Sequence, residues 1–267
     1  MAERLLGKVA VVTGAASGMG KAIAINFVKE GAKIVATDMN EDGLKELEKE
    51  VAELGLSDQL RIQKCNVTST EDCEAAVKTC VEAFGTMNVL SHNAGIADNF
   101  APTARVTDEL WDRQISVNLT GSMKIARAAL QYFVPNEIKA SMVMITSNAA
   151  IESATGGAAY TASKAGANAL MKSIAYEYGR KGIRCNAILP GPIMTNIAKS
   201  MGQRDDEGVE LHHKTGYNAH CGEWMMPMRI GKPEDISPLA VYLASDESRF
   251  VQSASIVIDG GASVVGY

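Results

Sequence analysis

Short apolar runs alternate along this chain with longer stretches whose apolar positions recur at helical spacing. KVAVVTG (8–14) reads as a buried strand and Gly18 to Glu30 as the helix after it. KIVATD (33–38) is a second strand, followed by a charged helix from Glu41 to Leu54. LRIQKC (60–65) precedes a helix from about Ser69 to Phe84, and MNVLSHNAG (87–95) is a strand running into a loop. One long helix is predicted from about Thr107 to Phe133. SMVMIT (141–146), a helix from Ala159 to Gly179, and the strand IRCNAILPG (183–191) continue the rhythm. PEDISPLAVYLAS and SASIVID close it as helix and strand. This alternation predicts an α/β fold: a doubly wound parallel sheet of about seven strands, buried on both sides by helices.

No compositional break divides the 267 residues, so residues 1–267 are expected to form a single domain. Residues 192–229 break the rhythm. They carry the polar run GQRDDEG and end in the apolar CGEWMMPM. A connection this long inside a compact domain points to function, here a lid at about 195–229. Hydrophobic residues make up 46%, enough for a substantial core. The net charge of −5 shows no basic cluster, so neither nucleic acid nor an anionic membrane is an expected partner. Five cysteines form no CxxC pair and no metal spacing, and MAERLLGKVAVVTG has no signal-peptide character. A cytoplasmic protein is expected. Cys73 and Cys80 share a helix face and read as core. His212, His213 and His220 read as solvated lid residues rather than metal ligands.

TGAASGMG (13–20) stands where the first strand meets the first helix, with Gly14, Gly18 and Gly20 spaced GxxxGxG. Glycines there let a pyrophosphate approach the backbone, and the helix start supplies free N–H groups. Asp38 ends the second strand. Its carboxylate can accept from both adenosine ribose hydroxyls and would repel a 2′-phosphate. Ser17 and Met39 offer no positive charge, so NAD is favoured over NADP. The fold is then of Rossmann type.

AAYTASKAG places Tyr160 and Lys164 four apart on one helix face. Taken alone, such a pair reads as an amphipathic surface helix. Together with the other motifs it resembles the classical short-chain dehydrogenase/reductase family over nearly the whole chain. The resembling stretches are TGAASGMG, Asn93-Ala94-Gly95, Asn118 in ISVNLTG, Ser147, the YxxxK pair, PGPIMT (190–195) and IDGG. The resemblance implies a catalytic set of Asn118, Ser147, Tyr160 and Lys164. Tyr160 would be the general acid/base, its pKa lowered by Lys164, which also holds the nicotinamide ribose. Ser147 would steady the substrate oxygen. Asn118 would distort its helix and hold a water. The same resemblance implies Met19, Asn66, Val67, Pro190, Gly191, Ile193 and Thr195 as further cofactor contacts, with Thr195 on the carboxamide. Asn66 stands where the family usually has aspartate, and its carbonyl is expected to accept from the adenine amino group. His92 reads as a packed or loop histidine.

Asn148, Ala149, Ala150, Ala97 and Asp98 could line a substrate pocket, with Trp224 and the lid methionines above it. The small residues Gly156 and Gly157 suggest room for a bulky ligand, leaning toward a cyclic, steroid or bile-acid hydroxyl. The expected activity is hydride transfer between NAD and a secondary alcohol or ketone. The alternatives are a dinucleotide-sensing regulator on the same fold, and a 3-oxoacyl-type or sugar ketoreductase. A homotetramer is expected, packed through the helices that hold Asn118 and Tyr160.

Overall fold

The computed structural model describes residues 3–152, 156–215 and 230–264, with only the backbone for 212–215 and 264. Trp224, Met225, Met226, Met228, His220 and Cys221, and the side chains of His212 and His213, lie outside the described residues. Seven strands form one sheet in the order β3-β2-β1-β4-β5-β6-β7. They are β1 (Val9–Thr13), β2 (Lys33–Asp38), β3 (Leu60–Lys64), β4 (Val89–His92), β5 (Ala140–Ile145), β6 (Ile183–Pro190) and β7 (Ser255–Ile258). Every neighbouring pair is parallel. The central strands β1, β4 and β5 are buried along their whole length, which is why they read as continuous apolar runs.

Helices cover both faces. On one face, Phe27 and Ile23 of α1 (Gly18–Lys29), Leu47 of α2 (Glu41–Glu53) and Val241 of α8 (Pro233–Ala244) pack on Val12 and Ile34. On the other, Cys80 of α3 (Thr70–Phe84), Phe133 of α5 (Gly121–Phe133) and Met171 of α6 (Ala158–Tyr178) pack on Val11, Leu90 and Met142. Each fully buried large side chain contributes about 1.5–3 kcal/mol. Side-chain caps fix three helix starts: Asn40 accepts from Gly43 N, Ser69 from Asp72 N and Thr107 from Leu110 N.

Two segments differ from the sequence expectation. The helix predicted as continuous from Thr107 to Phe133 is α4 (Asp108–Gln114), a π-helical turn (Ile115–Thr120) and then α5. Periodicity does not reveal one extra residue in a turn. Within the polar run predicted as lid loop lies a helix, α7 (Asp206–Thr215), with Asp206 and Glu207 in its first turn. No helix among the described residues is long and apolar enough to cross a membrane.

The strand order reverses between β1 and β4. The chain leaves β1 toward β2 and β3, then returns to β4 on the other side. A crevice opens there at the carboxyl ends of the strands, and every site residue discussed below sits at that edge or on the helices bordering it.

Candidate active site

The glycine loop is built by close approach. Gly14 has φ +65°, and a Cβ on it would stand 2.8 Å from Ala94 N. A Cβ on Gly20 would overlap the Gly14 carbonyl oxygen. Gly18 has φ +54° and packs on Thr195, whose Cβ lies 3.1 Å from where its own would be. Ser17, at the N-cap of α1, makes no capping hydrogen bond, and no acidic residue stands in the first turn. The helix start therefore keeps donors for an anion. Asp38 Oδ2 accepts from Ala16 N (3.1 Å) and Oδ1 from Asn40 N (2.9 Å), tying the loop to the end of β2. Met39 beside it is exposed.

Asn93 and Ala94 are held by Thr13, whose Oγ1 accepts from both of their amides at 3.1 and 3.2 Å. Asn93 Nδ2 donates to Thr13 O and Ser91 O, while its buried Oδ1 has no partner. With both acceptor positions of Thr13 Oγ1 filled, its proton goes to His92 Nδ1 at 2.8 Å. His92 Nε2 then donates to Ser122 Oγ (2.9 Å), and Ser122 donates to Asn118 O (2.6 Å). His92 is thus packed, as expected, and it also joins the glycine loop to the π turn. Burial first, then the nearby Lys164 charge, pushes its pKa down to about 3, so it stays neutral.

The Asn118 side chain fastens the π turn to its surroundings. Its Oδ1 accepts from Ile96 N (2.8 Å). Its Nδ2 lies within reach of Ile96 O, Gln114 Oε1 and Ser163 Oγ. Ser163 in turn donates to Tyr160 O (2.7 Å), so the π turn grips the helix carrying Tyr160 and Lys164. The local distortion expected at Asn118 is present.

Tyr160, Lys164 and Ser147 converge. The Ser147 hydroxyl, in the turn after β5, hydrogen-bonds the Tyr160 phenol and also accepts from Ala149 N (3.1 Å). Lys164 Nζ stands 5.7 Å from the Tyr160 ring centroid. A Cβ on Gly95 would lie 3.0 Å from Nζ and 3.2 Å from Asn118 Oδ1, so only glycine leaves that space open. Lys164 is 5% exposed, and burial alone lowers its pKa to about 8. Without cofactor the phenol differs from the sequence expectation: its pKa is raised, chiefly by burial. The Ser147 bond lowers it and the Asp98 carboxylate raises it again. Burial thus outweighs the serine bond, and the neighbouring Lys164 has its own pKa lowered by the same burial.

The pocket expected around Gly156 and Gly157 is filled from within. A Cβ on Gly156 would meet the Tyr160 ring at 2.5 Å, and one on Gly157 would overlap the Asp98 carboxylate. Asp98 is buried and faces the helix start rather than a pocket, and Ala149 is buried too. Asn148 is buried with its Nδ2 unpartnered. Asn66 Oδ1 is engaged by Thr68 N and Thr68 Oγ1, so the acceptor expected for adenine is occupied within its own turn. Val67 packs against Gly121. Met19 and Ile193 are half-buried against the core around α1 and α8. Pro190 ends β6, and Gly191 N donates to Ile258 O. The roles of His92, Ser122, Ser163 and Asp98 have no short-range sequence signal, because each also bonds a partner far away along the chain.

The described part of the segment expected to form a lid is held to the loop after β4. Ala97 N donates to Ser200 Oγ (3.0 Å) and Asp205 N to Asn99 O (2.9 Å). Arg105 grips Asp205 in a bidentate pair (2.7 and 3.0 Å) and reaches Glu207 at 2.6 Å.

The arrangement fits a nicotinamide dinucleotide: uncapped helix N–H groups, a glycine cradle, an orphaned Asn93 acceptor, and a buried lysine beside a phenol. Fold and site together define a dinucleotide-binding oxidoreductase. A family model described as "Enoyl-(Acyl carrier protein) reductase" matches residues 14–263. A protein of Eggerthella lenta named 3beta-hydroxysteroid dehydrogenase 2 is 40% identical over 97% of this chain and 96% of its own. The 3-oxoacyl-acyl-carrier-protein reductase FabG of Thermotoga maritima is 35% identical over 97% and 98%. The crystal structure of levodione reductase superposes with a TM-score of 0.87 at 29% identity, covering 98% of this chain and all of that one. The chain belongs to the short-chain dehydrogenase/reductase family. It is an oxidoreductase of the hydride-transferring kind that uses a nicotinamide cofactor and acts on alcohol or ketone groups.

Proposed function

We propose that the protein is an NAD-dependent dehydrogenase of secondary alcohols, acting on a cyclic hydroxyl of the steroid or bile-acid kind. The observation that carries the chemistry is Lys164: a buried lysine with no ion pair among the described residues, next to a phenol that touches a serine hydroxyl. Burying such a group without a partner is costly, and the cost is understandable if a bound molecule supplies the acceptors. NAD, when bound, accepts the hydride from the substrate carbon. Lys164 would hold its nicotinamide ribose hydroxyls, Asp38 the adenosine ribose, and Thr195 the carboxamide.

Ser147 and Tyr160 would grip the substrate oxygen. In oxidation the Tyr160 oxygen takes the hydroxyl proton as the hydride leaves, and in reduction it returns that proton to the carbonyl. Ser147 steadies the charge developing on oxygen. Asn118 holds the π turn against the helix so that both groups keep their aim. An oxidised nicotinamide ring would add positive charge near the phenol, beside the Lys164 ammonium, and so favour loss of its proton.

NAD rather than NADP is supported by the Asp38 carboxylate and by its surroundings. Lys64, its register partner on β3, is paired to Glu41 at 2.7 Å, so that cation is already engaged. The steroid class is supported by the Eggerthella lenta relative. The two glycines no longer argue for it, since their space is filled.

The test is turnover of a panel of hydroxysteroids, bile acids and 3-oxoacyl thioesters with NAD and with NADP, alongside Tyr160→Phe. NAD-linked oxidation of a sterol-type hydroxyl that vanishes in the variant, with NAD binding retained, is expected. Undiminished turnover in Tyr160→Phe would overturn the mechanism, and preference for a thioester would overturn the substrate class. We read the assembly as a homotetramer. Exposed Trp111 on α4 and Tyr176 on α6 offer apolar surface for it, and light scattering at the mass of one chain would refute it.

A further inference from the structure

Asp98 lies in the loop after β4 and is 2% exposed. Its Oδ1 accepts from Gly157 N (3.1 Å) and Phe100 N (3.3 Å), and its Oδ2 from Tyr160 N (3.0 Å). Gly157 is the N-cap of α6 and supplies no side-chain cap of its own, and no acidic residue stands in the first turn of α6. A carboxylate from a distant loop does that work, and it occupies the place a side chain at residue 157 would take. The neighbouring Gly156 leaves the place for the Tyr160 ring. One backbone turn is therefore shaped around two objects, the Asp98 carboxylate and the Tyr160 phenol.

We propose that Asp98 is a positioning residue for Tyr160: by capping the first turn of α6 from the loop after β4, it fixes where the phenol stands and the negative charge it faces. Three polar groups act on the phenol or stand beside its ring among the described residues. They are the Ser147 hydroxyl from the turn after β5, the Asp98 carboxylate from the loop after β4, and Lys164 from α6 itself. Of these, Asp98 alone opposes loss of the phenol proton. Its charge adds to burial in favouring the protonated phenol, the form that hands a proton to a ketone. The same loop is bonded to the lid through Ala97 and Asn99, so the phenol's seat and the substrate cover share one support.

The activity arm of the test rests on the proposed role of Tyr160, whereas the titration arm does not. Protein labelled with carbon-13 at the tyrosine Cζ would be titrated by NMR, with Tyr160→Phe identifying the resonance. Asp98→Asn keeps the shape and removes the charge. Asp98→Ser provides a second neutral acceptor at a cap position should the amide fail to fold. Both are expected to lower the Tyr160 midpoint by about 1 unit. The pH at which kcat/KM for alcohol oxidation rises should move down with it. An unchanged midpoint in a folded variant, even with lower melting temperature and kcat, would reduce Asp98 to a structural cap and overturn the proposal. A lowered midpoint with no turnover on any alcohol would leave the positioning role standing and sink the dehydrogenase reading instead.

Discussion

Replacing His92 with asparagine should flatten the acid side of this protein's stability curve. In the fold the imidazole is held near pKa 3, against an ordinary 6.5, by burial and by the Lys164 charge. The folded state therefore keeps it neutral, while the unfolded chain takes up a proton below pH 6.5. The contribution is fully present above the unfolded value and is lost as pH falls toward the folded one. Between pH 7 and pH 5 that linkage removes about 2 kcal/mol, a sizeable part of the 5–15 kcal/mol typical of a folded domain. Lys164, near 8, remains protonated at both pH values, so its effect on His92 is constant. Asparagine can still bond Thr13 or Ser122 but cannot titrate. The variant should lose a fixed increment, about 1–3 kcal/mol for the bond that does not re-form, with little further loss attributable to pH. Urea unfolding of both proteins at pH 7 and pH 5 gives a difference of differences in which the shared carboxylates cancel. Equal losses in the two proteins would refute a neutral buried imidazole.

Three further outcomes are expected. Lys164→Met should raise the melting temperature of the cofactor-free protein by about 2–4 °C, because an unpartnered buried amine is removed, while turnover is lost; a lower melting temperature would contradict the absence of an internal partner. Asp38→Ser combined with Met39→Arg should shift kcat/KM from NAD toward NADP by at least about tenfold, each charged interaction contributing on the scale of a strong hydrogen bond; Asp38→Ala alone should weaken both cofactors, since the carboxylate also holds Ala16 N. Arg105→Ala should raise substrate KM several-fold with little change in kcat or melting temperature, and the wild-type KM should rise with salt while that of the variant does not.

Much of the architecture was legible because it is periodic. The bounds read for β2 and the start of α1 match those observed, since a buried parallel strand and an amphipathic helix leave opposite signatures. Gly14, Gly18, Gly20 and Asp38 were legible because a dinucleotide demands those types at those places, whereas Ser147, Tyr160 and Lys164 were legible through the family resemblance. The π turn was anticipated only through family resemblance, as one residue too many leaves the apolar pattern nearly intact. The helix α7 was hidden by its polarity, since its residues before Leu211 offer little apolar face. Gly156 and Gly157 were misread as open space. Glycine shows that a side chain is missing, not what fills the gap: the Tyr160 ring fills it at Gly156, and Asp98, some sixty positions earlier, at Gly157. His92 was legible as packed, but its bonds to Thr13 and Ser122 depend on the sheet register that sets Thr13 beside it.

That file of bonds, from Thr13 through His92 and Ser122 to the Asn118 carbonyl, has one direction only. Two backbone amides pin the Thr13 oxygen at one end, and a carbonyl with no hydrogen to give closes the other. A Grotthuss relay needs every link to turn over after each passage. This one cannot turn over without breaking its end contacts, and its imidazole resists a second proton down to about pH 3. Although a histidine lies buried near Lys164, the file is an insulator. It ties the end of β1 to the π turn without offering a proton a way between them.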